Sequence, residues 1–270
     1  MKYCFFCLII DLISFYSPFR LRWLTKLMFF CTFAVLNYRQ MKRHIPNFIT
    51  LLNLFSGCIA LVFVAQGDYP NAFIFVCLGI FFDFFDGFFA RLFKVQGELG
   101  LQLDSLADMV TSGVVPGFVM FKMLSEYSPN EYLPYFGFII TLGSCMRLAK
   151  FNIDTRQTDS FIGLPTPANA LFILSLPLVV QHTEFVFVIE ILTNIWFLLG
   201  ISALSVFILN AELPLFSLKI KKFSFAKYKL QVFFLILSIV FLLVFTFLGV
   251  SLIILSYVLL SVLSRKTTEK

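Results

Sequence analysis

The sequence predicts an all-α fold, a polytopic transmembrane helical bundle of about eight spans with a six-helix catalytic core. Three observations carry that prediction. First, the 270 residues are 60% hydrophobic and only 13% charged, where a soluble domain would carry about 25% charge. Second, the apolar stretches are long enough to cross the roughly 30 Å of bilayer hydrocarbon. Third, lysine and arginine gather in every second loop, as loops on the cytoplasmic side do.

The spans fall near residues 48–64, 71–89, 103–124, 133–146, 167–180, 185–209, 231–248 and 250–263, the last two joined by a tight turn at Gly249. Basic residues flank them on one side only. Lys42 and Arg43 precede the first span, and Arg91 and Lys94 follow the second. Arg147, Lys150 and Arg156 follow the fourth, the run Lys219 to Lys229 follows the sixth, and Arg265, Lys266 and Lys270 follow the eighth. The alternate loops carry none, and Lys122, near the outer end of the third span, is the exception. Both termini are therefore expected in the cytoplasm. The net charge of +6 reports loops facing an anionic leaflet and no nucleic-acid partner. The 38 phenylalanines read as lipid-facing filler. Cys4 and Cys7 form a C-x2-C without a second pair or paired histidines, so neither a zinc site nor a disulfide framework is implied.

Three regions are expected along the chain: an N-terminal extension over 1–40, a catalytic core over 41–215, and a basic loop with two C-terminal spans over 216–270. Residues 1–40 hold two short apolar runs separated by Arg20, Arg22 and Lys26. Met41-Lys-Arg-His-Ile-Pro reads like a natural beginning, a basic stub followed by proline at a helix start. The extension is expected to be dispensable, from an upstream start codon, with an interfacial amphipathic anchor as the alternative.

The stretch from Asp83 to Asp108 concentrates the chemistry. It holds four aspartates, Asp83, Asp86, Asp104 and Asp108, among Phe and Leu, in a chain with 15 acidic residues. A carboxylate at membrane depth is costly, and so points to function. Asp83 and Asp86 are three apart and share a helix face, continued by Gly87 and Ala90 with Arg91 beside it. Gly100, Asp104 and Asp108 step by four and make a second face. Two such faces can oppose each other across a hairpin. Four close carboxylates repel strongly unless hard cations neutralise them. The spacing thus points to one or two divalent ions at a membrane surface, with small residues leaving room for a ligand. Arg91 adds a fixed fork for phosphate. The only histidines, His44 and His182, lie far from this stretch, so a Ser-His-Asp arrangement is poorly supported.

The pattern D-x2-D-G-x2-A-R-x8-G-x3-D-x3-D resembles the signature of the CDP-alcohol phosphatidyltransferase family, and Asp83, Asp86, Gly87, Ala90, Arg91, Gly100, Asp104 and Asp108 meet every fixed position. The resemblance implies transfer of a phosphatidyl group from a CDP-linked donor to an alcohol, with release of CMP. It implies Asp83, Asp86, Asp104 and Asp108 as ligands of Mg²⁺ or Mn²⁺, in a two-ion site, and Asp108 as general base on the acceptor hydroxyl. It implies a CDP site formed by Asp83, Gly87, Ala90, Arg91 and Gly100, and a homodimer.

Three further stretches resemble the serine-using branch of that family: Ile45 to Gly57, Arg147-Leu-Ala-Lys-Phe-Asn152, and Phe161 to Ala168. That branch commonly has arginine where this chain has Lys150. The implied substrates are CDP-diacylglycerol and L-serine, at an active site on the cytoplasmic side of a bacterial cytoplasmic membrane. Arg147, Asn152 and Thr166 are candidates for an acceptor or lipid-phosphate pocket. For Arg147 a basic anchor at the end of the fourth span is an equal alternative. Asn53 reads as an interhelical hydrogen-bonding residue or a headgroup ligand. The competing functions are a sister transferase using glycerol 3-phosphate or inositol, a cation transporter, and a structural membrane subunit. A transporter would place its acids near the midplane, whereas these cluster at one interface.

Overall fold

The computed structural model of the chain describes residues 44–153, 161–212, 214–215 and 229–268. The expected extension over 1–40, the basic residues Lys42, Arg43 and Arg156, and the basic loop from Lys219 to Lys227 lie outside the described residues.

The first three helices position the aspartates. Helix α1 (His44–Gln66) turns Thr50, Asn53, Ser56, Ala60 and Val64 inward and leaves Phe48, Leu51, Phe55 and Val62 exposed. One face is thus polar at its start and apolar at its end. Gly67, at φ +80°, makes the turn into α2 (Tyr69–Phe93). Asp68 caps α2 by accepting from the Asn71 amide at 3.1 Å, and Pro70 sits in the first turn where no donor is lost. Helix α2 ends at Lys94, whose left-handed backbone returns its N–H to the carbonyls of Ala90 and Arg91. After a short link, α3 (Glu98–Tyr127) runs back across the bundle. It contains a π-helical turn over Met109–Val114, directly after Asp108.

A 3₁₀ turn (Leu133–Phe138) leads into α4 (Ile139–Ile153). Helix α5 (Thr166–His182) is followed by α6 (Val186–Leu192) and α7 (Ile195–Asn210), the last two bent by 69°. Two-residue strands β1 (Phe161–Ile162) and β2 (Pro214–Leu215) pair antiparallel and tie the stretch before α5 to the end of α7. The final helical stretch, Lys229–Thr268, breaks at Thr246 (φ 46°, ψ −112°). Stretched out, its 34-residue apolar span would be about 51 Å long. Instead it doubles back, giving α8 (229–245) and α9 (247–268). The Phe234 and Tyr257 rings meet across the hairpin with centroids 5.6 Å apart. The sharp turn expected at Gly249 thus falls three residues earlier, at Thr246. Gly249 serves the close approach of the two arms, because a Cβ added there would stand 2.2 Å from the Phe241 carbonyl oxygen.

Among the described residues, helical segments stand at each of the eight predicted places. By length and apolarity four stretches qualify as membrane spans: α1, α2, α3 and the α8–α9 stretch taken as one. The bent α6–α7 pair makes a fifth. Helices α4 and α5 are 15 and 17 residues long, short of the usual span. The chain is an all-α integral membrane protein.

The apolar core lies at the end of the bundle away from the aspartates. Ala60, Val64, Val76, Val115, Val119, Met120, Leu124, Ile140, Ile173 and Leu178 are fully buried there. Helix α5 packs against α2, α3 and the C-terminal hairpin, and α4 packs against α7 and the π turn. Lys122, the exception to the charge pattern, donates to the Ala65 carbonyl at 3.3 Å, where the C-terminal end of α1 favours a cation.

Candidate functional site

The α2–α3 hairpin brings the two aspartate faces together as the spacing predicts. One carboxylate oxygen from each of Asp83, Asp86 and Asp104 lies within 4.8 Å of the other two. Asp108 is not part of that trio. It sits one turn beyond Asp104, and its Oδ1 accepts a hydrogen bond from Asn53 Nδ2 at 3.2 Å. Three of the four expected ligands thus converge, and the fourth, braced from α1, stands beside them.

Helix α1 supplies the braces. Thr50 and Asn53, three residues apart, face the hairpin together. Thr50 Oγ1 donates to Asp86 Oδ2 at 2.5 Å, and Asp86 is buried at 6% exposure. Asn53 is fully buried; its amide nitrogen serves Asp108, while its Oδ1 has no hydrogen-bond partner. Thr111, in the π turn, donates to the Asn53 carbonyl at 3.1 Å. That approach needs Gly79, where an added Cβ would stand 2.7 Å from Thr111 Cγ2 and 2.9 Å from Asn53 Oδ1.

Beside the carboxylates is a cleft of about 170 Å³ lined by Asn47, Thr50, Asp86, Gly87, Ala90, Gly100 and Asp104, among others. Gly87 leaves room for the Arg91 guanidinium, whose Nη1 lies 3.4 Å from where a Cβ would be. Gly100 faces Asn47 Oδ1 at 3.5 Å in the same sense. The glycines and alanine of the motif therefore line the space next to the acids.

The donor set fits a hard divalent cation. Carboxylate oxygens are the ligands such ions prefer, three of them converge, and Asp104 Oδ1 is buried without a hydrogen-bond partner. A buried carboxylate oxygen without a donor is costly, and a cation would satisfy it.

The residues singled out for an acceptor pocket are placed differently from one another. Arg147 is buried at 8% exposure and donates to the Leu209 carbonyl at 3.3 Å. It lies beside Gly163, whose Cβ would stand 3.3 Å from Arg147 Nη1 and 2.7 Å from the Leu209 carbonyl. With φ +75°, that position suits glycine on both counts. Such burial does not fit a side chain snorkelling to the membrane surface. Thr166 is buried in the first turn of α5. Asn152 turns toward α3, where its amide meets Ser105 Oγ at 2.9 and 3.1 Å. Sequence reasoning misses Thr50 and Ser105. A lone hydroxyl in an apolar helix carries no spacing signal, although Thr50 does share a face with Asn53.

These features define a helical membrane protein with an acidic cleft at one end of its bundle. The family model for CDP-alcohol phosphatidyltransferase matches residues 43–199. The chain belongs to that family. It is similar to the CDP-diacylglycerol–serine O-phosphatidyltransferase of Bacillus subtilis, 37% identical over 129 residues that make up 46% of this chain and 70% of the relative. It is similar to the enzyme of the same name from Methanocaldococcus jannaschii, at 33% over 48% of this chain and 58% of the relative. It also resembles the archaetidylserine synthase of Methanothermobacter thermautotrophicus, at 30% over 52% of this chain and 60% of the relative. For the latter two the matched part is less than two thirds of the relative's length.

Proposed function

We propose that the chain transfers a phosphatidyl group from CDP-diacylglycerol to the hydroxyl of L-serine and releases CMP. The observation that supports this most directly is the trio Asp83, Asp86 and Asp104 beside a cleft lined by Gly87, Ala90 and Gly100, in a chain whose relatives carry serine phosphatidyltransferase names.

In this reading Asp83, Asp86 and Asp104, with Asp108 sharing the site, would hold Mg²⁺ or Mn²⁺, which when bound would neutralise the pyrophosphate and the leaving phosphate. The expectation of two ions rests on the family resemblance. Gly87, Ala90 and Gly100 let the cytidine diphosphate lie close to the helix backbones, and Arg91 supplies a phosphate contact at the rim. Asp108, oriented by Asn53, takes the proton from the serine hydroxyl. The hydroxyl oxygen then bonds to the phosphorus that carries diacylglycerol, the bond from that phosphorus to the CMP oxygen breaks, and CMP leaves with the electron pair. Arg147 and Thr166, brought near the Gly163 turn, form the acceptor or lipid-phosphate side of the pocket. The active site and both termini face the cytoplasm, in the orientation the basic loops favour. The protein acts in a bacterial cytoplasmic membrane, as a homodimer by family resemblance.

The test is a membrane assay on the full chain with CDP-diacylglycerol, Mn²⁺ and labelled L-serine, with EDTA and Asp108→Asn as controls. Serine-dependent, EDTA-sensitive labelling of lipid with matching CMP release is expected. CMP release only with glycerol 3-phosphate or inositol would keep the family and replace the acceptor. No CMP release with any alcohol would overturn the transferase reading.

A further inference from the structure

Asn152 lies near the end of α4 on the side facing α3, and Ser105 follows Asp104 directly. The amide oxygen and nitrogen of Asn152 lie 3.1 and 2.9 Å from Ser105 Oγ. The contact spans 47 residues of sequence and is partly buried. It is the α4 counterpart of the braces from α1: Thr50 holds Asp86 and Asn53 holds Asp108. Asp104, whose Oδ1 is buried without a partner, has its backbone pinned through its neighbour. The first turns of α3 otherwise offer little packing. Leu99, Leu101 and Leu106 are exposed, and Ala107 is the buried residue of Glu98–Asp108. A helix end held so lightly by apolar contacts depends on polar ties for its angular setting.

We propose that Ser105 and Asn152 are a positioning pair that fixes the aspartate-bearing end of α3 for cation binding. Asn152 then serves the metal site and does not contact the acceptor alcohol. This rests on the reading of the aspartate trio as a cation site.

The test uses the full chain purified in detergent, with Mn²⁺ binding followed by electron paramagnetic resonance of the free ion, alongside kcat and the KM for serine. The variants are Ser105→Ala, Asn152→Ala, the double variant and Ser105→Thr. Each alanine variant is expected to weaken Mn²⁺ binding and lower kcat by about 10-fold, the range for partners that orient metal ligands, with KM for serine unchanged. The double variant should be no worse than either single one, as expected of a coupled pair. Ser105→Thr keeps the hydroxyl and should bind Mn²⁺ as the wild type does.

Wild-type Mn²⁺ binding in a folded alanine variant would overturn the proposal. So would an Asn152→Ala variant that raises KM for serine and leaves Mn²⁺ binding intact, which would make Asn152 an acceptor ligand. Additive losses would dissolve the pair. Mn²⁺ binding needs no turnover. Weakened binding in the variants of a chain that transfers nothing to serine would therefore retire the proposed reaction and leave the pair standing.

Discussion

The two ends of α1, α2 and α3 are built from opposite materials on the same inward faces. At one end Ala60, Val64, Val76, Val115 and Val119 pack at 0% exposure. A few turns along the same helices the inward positions are Thr50, Asn53, Asp86, Asp104 and Asp108. The apolar end supplies stability by close packing. The polar end carries the candidate site and is held by hydrogen bonds from α1 and α4. The difference teaches that stability and activity should respond to separate sets of substitutions within single helices.

The sharpest break of that comparison is Asp108→Asn. It should lower turnover by about 10³-fold, within the range for loss of a general base, while CDP-diacylglycerol binding, measured by equilibrium with a labelled donor, persists. Loss of donor binding together with turnover would argue against the base role. Next in size, Asp86→Asn should raise the Mn²⁺ concentration needed for half-maximal activity and lower the maximum, by at least about 10-fold on the scale of altered metal shells. A metal titration of the membrane assay reads it. Asn53→Ala should cost about 10-fold in kcat by freeing Asp108, with thermal stability falling less than for a core truncation. At the apolar end the pattern reverses. Leu178→Ala should destabilise by about 2–5 kcal/mol, seen as a lower unfolding temperature in detergent, with the KM for serine unchanged. The smallest effect should come from Ser175→Ala. It removes the 2.6 Å hydrogen bond to Ser251 that ties α5 to the C-terminal hairpin, worth about 1 kcal/mol, and the same unfolding measurement reads it.

The aspartate trio is legible in the sequence because i, i+3 and i, i+4 spacing places carboxylates on helix faces whatever the tertiary setting. The helical segments are legible from apolar run length. The braces are not, because Thr50 and Ser105 find partners 36 and 47 residues away and nothing local marks a hydroxyl as engaged. Arg147 reads equally well as an anchor until its burial and its bond to Leu209 set it inside the bundle. The C-terminal turn falls three residues from the glycine that suggests it, because glycine is the usual sign of a left-handed backbone and here Thr246 takes the positive φ. Spacing and family pattern both group Asp108 with the other three acids, and neither shows that Asn53 holds it from α1.

The π turn over Met109–Val114 has a consequence for how the two ends can vary. A wider turn sets the angular phase of everything beyond it. The aspartates before it and the valines after it are therefore not in one unbroken helical frame. Removing a single residue from that turn would let its i→i+5 bonds close as ordinary i→i+4 bonds, with Val115 and Val119 keeping nearly the same angular phase relative to Asp104 and Asp108. This turn is therefore where α3 can absorb a one-residue deletion, whereas the same deletion in the regular helix on either side would rotate one half against the other by about 100°.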